Sequence, residues 1–184
     1  MKVFSELEKE IINKICETTN GTFLQNYLFN KYQGYNFPYD REKESFGIQI
    51  NIRPEQMMEQ VIYFEERELE IYYLARLLKY LEENDYIIAY QDVDHLLPGG
   101  SIATTSPREP AYYELKETKY KTILLKYLGK VIKPTPDLYD LKKHKYRILE
   151  VRQLIAKWTG IWIAIAMSTI SIIISCIGIY LKCK

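Results

Sequence analysis

Histidine, cysteine and clustered carboxylates are the side chains of this sequence that could bind a metal or act in catalysis. Asp92, Asp94 and His95 lie within four positions of one another and form a weak candidate metal site. Three ligands on one loop lack a fixed geometry, so a solvated loop is the favoured interpretation. Cys16 falls near the apolar side of a predicted helix, where a core thiol is expected. The sequence therefore predicts no catalytic residue, cofactor site or metal site, and we do not expect an enzyme.

Composition sets the class of protein that must position any site. The 184 residues are 47% hydrophobic and 27% charged, which excludes a generally disordered chain, and three cysteines are too few for a disulfide scaffold. Residues 1–135 contain 17 Lys and Arg against 21 Asp and Glu, a net charge of −4. Residues 136–184 contain 8 against 3, a net charge of +5. We expect one modest acidic domain followed by a basic accessory region.

The most distinctive segment spans residues 158–181, where 24 consecutive residues carry no charge and nine are Ile. Such a helix would be roughly 36 Å long, enough to cross a hydrocarbon core of about 30 Å. Trp158, Trp162 and Tyr180 lie near its two ends, where aromatic side chains favour the membrane interface. The segment is predicted to be a transmembrane helix with a short tail at 182–184; the alternative is a buried core helix.

The region before this segment is basic, and Glu150 is the only acid between positions 142 and 157. By the positive-inside rule, the region and the N-terminal domain are expected to be cytoplasmic, with reduced thiols. Residues 1–15 do not resemble a signal peptide, so we expect a tail-anchored, single-pass topology. Frequent Ile, Lys and Tyr are typical of an AT-rich genome, so we expect a bacterial source and a location in the inner membrane. The basic residues, which could also hold anionic headgroups or serve only as a topology signal, are Lys142, Lys143, Lys145, Arg147, Arg152 and Lys157.

Small residues recur along one face of the predicted transmembrane helix, at steps of three and four. Small faces let membrane helices approach closely, and serine can hydrogen-bond across the interface. We hypothesise self-association, or pairing with another membrane helix, through this face; chance placement is the alternative. The residues are Gly160, Ala164, Ser168, Ser171, Ser175 and Gly178.

The remaining sequence predicts helices and short strands. Ser5 and Glu8 form a capping box at the start of a helix. Residues 48–52 alternate apolar and polar side chains, as a half-buried strand does. Loops are predicted at 32–44 and 92–110. Strands are predicted at 86–90 and 111–116, the second returning alongside the first. Helices are predicted from Pro54 to 62, at 65–83, from 120 until Pro134-Thr135-Pro136, and from Asp137 almost unbroken into the membrane.

The order helix, strand, two helices, strand, long loop, strand resembles a winged helix. Residues 74–87, Leu-Ala-Arg-Leu-Leu-Lys-Tyr-Leu-Glu-Glu-Asn-Asp-Tyr-Ile, carry the resemblance, and residues 112–116 resemble the second strand of the wing. An added amphipathic segment at 22–32 and a long loop depart from the pattern, so another small α+β domain is the alternative. The resemblance implies a mainly helical α+β fold. The expected organisation is a winged-helix-like domain at 1–133, a basic juxtamembrane helix or linker at 134–157, a transmembrane helix at 158–181 and a tail at 182–184.

Winged helices often bind DNA through the third helix, which here would be 65–83. That helix has a net charge of −3 and would be repelled by phosphate, so nucleic acid is not an expected partner. The acids at 65–70 are interpreted as a solvated helix start. The 17 Tyr residues are expected at both core and surface positions, where exposed Tyr suits protein contacts.

These patterns favour a membrane-anchored domain that mediates protein interaction or senses a signal, with the bilayer and an unknown cytoplasmic protein as partners. The alternative is a membrane-acting effector that oligomerises through its span and disturbs the bilayer. Its architecture resembles that of small effectors of bacterial anti-phage defence. A membrane-tethered transcription regulator is a third possibility, disfavoured by the acidic helix.

Overall fold

The computed structural model describes residues 2–18, 22–51, 57–91, 98–103 and 110–182. The fold is α+β and mainly helical, as expected, with a small sheet-containing domain and a long C-terminal helix. In chain order the elements are α1 (Glu6–Glu17), α2 (Phe23–Lys31), β1 (Tyr35–Asp40), β2 (Ser45–Asn51), α3 (Met57–Glu83), β3 (Ile87–Gln91), β4 (Gly99–Ala103), β5 (Pro110–Glu114), α4 (Thr118–Tyr127), β6 (Lys130–Pro134), α5 (Pro136–Lys143) and α6 (Leu149–Lys182).

The strands form two antiparallel sheets. One has four strands in the order β4-β1-β2-β5, and the other pairs β3 with β6. The predicted pairing of β3 with the strand at 111–116 is wrong, because β5 pairs with β2 and Ile87 lies opposite Pro134. The predicted loops at 32–44 and 92–110 are also wrong in part, since they contain β1 and β4.

Helix α3 runs through the centre of the domain. Its side chains at Ile71, Leu74 and Leu78 are at most 1% exposed, and they join a single core with α1, α2, α4 and the large sheet. The helix is one element from Met57, rather than a short helix followed by a long one. The predicted start at Pro54, and Ile52 at the end of the predicted strand, lie outside the described residues.

The helix predicted from residue 120 ends earlier than expected. Helix α4 ends at Tyr127, and Gly129, at φ 75°, turns the chain into β6. Pro134-Thr135-Pro136 therefore ends a strand, not the helix. The core continues into α5 through Leu138 and Leu141, beyond the predicted domain boundary at residue 133.

The predicted continuous helix from Asp137 into the membrane is wrong. Helix α5 ends at Lys143, a turn follows, and α6 begins at Leu149. Lys145 and Tyr146 both adopt positive φ, at 55° and 59°, which no α-helix accommodates. The turn therefore gives α6 a direction of its own relative to α5.

Candidate membrane-proximal site

Contacts with α1 fix the turn between α5 and α6. The Tyr146 hydroxyl donates to Asn13 Oδ1 at 2.8 Å, and the Tyr146 amide donates to the Leu141 carbonyl at 2.8 Å. The ring also packs 6.4 Å from Phe4, and the Lys9 ammonium lies 5.9 Å from its centroid. Left-handed backbone at non-glycine residues is costly, so these contacts must hold the turn in place.

An ion pair joins the first turn of α6 to α5. Arg152 donates to Asp140 Oδ2, and His144 Nε2 lies 3.3 Å from the other oxygen of the same carboxylate. The hydrogen bond from Arg152 holds the pKa of Asp140 below its usual value. Arg152 is therefore engaged in the fold and is less available to an outside partner than the sequence suggested.

A cleft of about 340 Å³ lies between this junction and the turn that follows α3. Asp137, Asp140, Arg147 and Arg152 contribute two negative and two positive side chains to its lining. Because the charges balance, the cleft favours neither anions nor cations. It is best described as part of the joint between the domain and α6.

The structure separates the six predicted basic residues into three groups. Lys142 and Lys143 lie in the last turn of α5, and Lys145 and Arg147 lie in the turn that follows; all four are exposed. The remaining two are on α6, where Arg152 pairs with Asp140 and Lys157 is exposed.

Helix α6 leaves the domain and presents its side chains outward. Within the described part of the chain, one helical stretch, Leu149–Ile174, is long and apolar enough to cross a membrane. It has 26 residues and a mean hydropathy of 1.5, and none of its side chains is buried in the domain. Trp162 is 65% exposed and Ile172 64%, values that are unusual for large apolar side chains.

The residues of the predicted small face lie on α6, where those at Gly160, Ala164, Ser168 and Ser171 are exposed. A Cβ built on Gly160 would meet nothing within 4 Å. Ser171 donates to the Met167 carbonyl at 2.9 Å, so its hydroxyl is satisfied within its own helix. The side chains of Ser175 and Gly178 lie outside the described residues.

Glu68 is a buried carboxylate, although the sequence pattern placed it among the acids of a solvated helix start. Glu68 is 6% exposed and accepts hydrogen bonds from the Lys116 amide at 2.9 Å and the Tyr113 hydroxyl at 2.7 Å. The Tyr72 hydroxyl is a third donor. Burial works against ionisation, but the donors outweigh it and hold the pKa of Glu68 below its usual value. The arrangement links α3, β5 and the start of α4.

Other candidate residues fall into structural roles or outside the described chain. Cys16 packs against the core, and burial raises the pKa of its thiol. Over the described residues, no three His, Cys, Asp or Glu side chains lie together as a metal site would require. Asp92, Asp94, His95 and Cys183 lie outside those residues.

Compared with known proteins, the chain matches no family model, no curated protein sequence and no solved structure.

Proposed function

We propose that the chain is a single-pass membrane protein in which α6 crosses the bilayer and the N-terminal domain mediates protein interaction or signal sensing on the cytoplasmic side. The observation that carries the proposal is the exposure of α6 along the stretch from Gln153 to Ile174. Every described side chain from Gln153 to Ile174 is exposed, whereas the domain closes a core of its own. A stretch this apolar needs a nonaqueous surrounding, and its length matches a bilayer.

The surface of the domain supports a protein-contact role. Leu69 and Tyr73, one turn apart on α3, are large apolar side chains and yet are 56% and 50% exposed. They are flanked by exposed Glu65, Glu66 and Arg76. An apolar pair within charged surroundings is typical of a protein contact surface, and the acidic balance of the domain disfavours DNA.

The winged-helix resemblance stays a prediction. The α3–β3 segment has the expected helix–turn–strand order, with a turn at Asn84 and Asp85. The strands of the proposed wing do not pair with one another, because β3 pairs with β6. We propose no DNA-binding role on the strength of this resemblance.

Alkaline extraction of membranes from cells that produce the full chain tests the membrane proposal. The wild-type chain should resist extraction, whereas Ile165→Asp combined with Ile172→Asp should release it, because each central charge costs about 2.5–3.5 kcal/mol. Val3→Asp combined with Tyr139→Asp places the same charges at exposed apolar positions outside α6 and should leave the chain membrane-bound. Extraction of the wild-type chain would overturn the proposal.

The exposed small face favours a second candidate, a membrane-acting effector that associates through α6. Membrane potential and viability, measured in cells that produce the full chain, separate the two functions. An effector should collapse the potential, and Ser168→Leu with Ser171→Leu should restore it. Ile163→Leu with Ile170→Leu, on the same helix, is the matched control and should change nothing. Unchanged potential in all three favours the interaction domain.

A partner captured by the full chain tests the interaction function directly. A partner that uses the exposed pair on α3 should be lost with Leu69→Ser and Tyr73→Ser. It should be retained with Ile88→Ser, which alters an exposed apolar side chain on β3. Capture that survives both changes would exclude the α3 surface.

A further inference from the structure

Four exposed cations lie immediately before α6, and we name them the basic collar: Lys142, Lys143, Lys145 and Arg147. The other two residues of this segment, His144 and Tyr146, carry no negative charge. Within the described chain, no ion pair involves a collar residue. The closest acid in sequence, Asp140, is engaged by Arg152 and His144. The three lysines of the collar thus carry positive charge that no ion pair neutralises within the described chain, whereas Arg147 also lines the charge-balanced cleft.

The position of the collar relative to the membrane follows from the helix rise. The apolar stretch begins at Leu149 if counted by hydropathy, or at Trp158 if only uncharged residues are counted. Leu149 to Trp158 spans nine residues, about 14 Å at 1.5 Å each. The headgroup layer covers about 5–8 Å of that distance. In either case Leu149, two residues after the collar, lies within roughly one Debye length of the headgroups, which is about 8–10 Å at physiological salt.

We propose that the basic collar binds anionic phospholipid headgroups in the leaflet where α6 enters the bilayer. This inference rests on the proposed membrane function of α6. The span holds the collar beside the lipid surface permanently, so even weak attractions act at high local concentration. A polyanion in solution, such as a nucleic acid, would instead meet the acidic domain, which carries a net charge of −4 up to residue 135.

The fixed turn strengthens the inference. Tyr146 is bound to Asn13, and Arg152 to Asp140, on either side of Arg147. The collar is therefore presented by ordered backbone next to the span. Less conformational entropy is lost on lipid contact than for a disordered basic tail.

Quenching of tryptophan fluorescence by brominated lipids tests the proposal on the full chain in vesicles. The only two tryptophans, Trp158 and Trp162, lie at the collar end of α6. The probes are phosphatidylglycerol and phosphatidylcholine with brominated acyl chains, each mixed with unbrominated lipid of the other headgroup. We expect the phosphatidylglycerol to associate about two- to fivefold more strongly at low salt, since each nearby Lys or Arg attracts an anionic surface modestly. The preference should fall towards one at 1 M salt, where the Debye length is about 3 Å.

Charge-matched variants assign the preference to the collar. Changing all four collar residues to Gln should remove it. The control variant, which should retain it, removes the same charge from the β1–β2 turn, α3 and the start of α4 by changing Lys43, Lys79, Lys116 and Lys119 to Gln. A preference that survives the collar change, or that vanishes equally in the control, would overturn the inference.

The quenching also separates this inference from the membrane proposal. Equal quenching by the two lipids in the wild-type chain would overturn lipid selectivity while leaving α6 in the bilayer. Absence of quenching by either lipid would show that the tryptophans are outside the bilayer, and would overturn the proposed span itself.

Discussion

Replacing Glu68 by Gln should destabilise the domain, because Glu68 is a buried acceptor for three donors: the Tyr72 hydroxyl on the same helix, the Tyr113 hydroxyl on β5 and the Lys116 amide just before α4. Glutamine keeps the shape but removes the charge. Hydrogen bonds to a charged group contribute about 1.5–3 kcal/mol, against about 0.5–1.5 kcal/mol for neutral ones. The hydrogen bonds from Lys116 and Tyr113 should each weaken by part of this difference. We therefore expect the free energy of unfolding to fall by about 1–3 kcal/mol. For a chain of this size the melting temperature should fall by roughly 2–12 °C.

Thermal unfolding of the full chain in detergent, followed by near-ultraviolet circular dichroism, measures this loss in the domain. The exposed neighbour Glu66→Gln is the control and should stay close to the wild type. Because the pKa of Glu68 is lowered in the folded state, its contribution is fully present above the ordinary value of 4.5. The difference in melting temperature between wild type and Glu68→Gln should therefore be constant from pH 5 to 7. It should narrow as the pH falls through the folded-state pKa of Glu68. Equal melting temperatures for Glu68→Gln and Glu66→Gln at pH 7 would refute the reasoning.

Three further substitutions test the β1–β2 turn, strand β2 and the joint between the domain and α6. Glu44 has φ 49°, so Glu44→Gly should raise the free energy of unfolding by about 0.5–1 kcal/mol; a lower value in urea unfolding would contradict this. A Cβ on Gly47 would overlap the ring of Tyr112 at Cε2, so Gly47→Ala should lower the free energy of unfolding by about 1 kcal/mol, and adding Tyr112→Ala should relieve that loss. Arg152→Gln removes the pair with Asp140 and should speed amide exchange in the first turn of α6 without releasing the chain from membranes. Unchanged exchange would show that this pair does not hold the joint.

Local patterns predicted the parts of the fold that depend on neighbours in sequence. The capping box of Ser5 and Glu8 is present at the start of α1, with both of its reciprocal hydrogen bonds. Alternation at 48–50 correctly indicated β2, where Ile48 is buried. These features are local because hydrogen bonds and helical faces recur within a few residues.

Strands that depend on distant partners could not be recognised in the same way. β1 contains Pro38 and β4 begins with Gly99-Gly100, and both compositions favour loops. β6 has only five residues and is stabilised by pairing with β3, about forty positions earlier. Gly129 was the local signal that α4 had ended, and its positive φ explains why.

In the candidate site, too, the features set by neighbouring residues were predictable and those set by distant contacts were not. Its basic residues and apolar helix were visible in composition, but the break before α6 was not, because Lys145 and Tyr146 are held in their conformation by α1. Glu68 was missed because a polar residue is assumed to face solvent. Its spacing from Phe64 and Ile71, both buried, was the available signal that it lies on the core side of α3.

The joint at Tyr146 and Arg152 has a mechanical consequence. Because the turn before α6 is bound to α1 through Tyr146, and the first turn of α6 is bound to α5 through Arg152, we expect a rotation of the domain to be passed on to the helix. If α6 crosses the bilayer as proposed, a rotation of about 100° around the helix axis brings each residue of α6 to the side that its neighbour in sequence faced before. A partner that rotates the domain from outside the bilayer would thereby change which side of α6 neighbouring membrane helices meet.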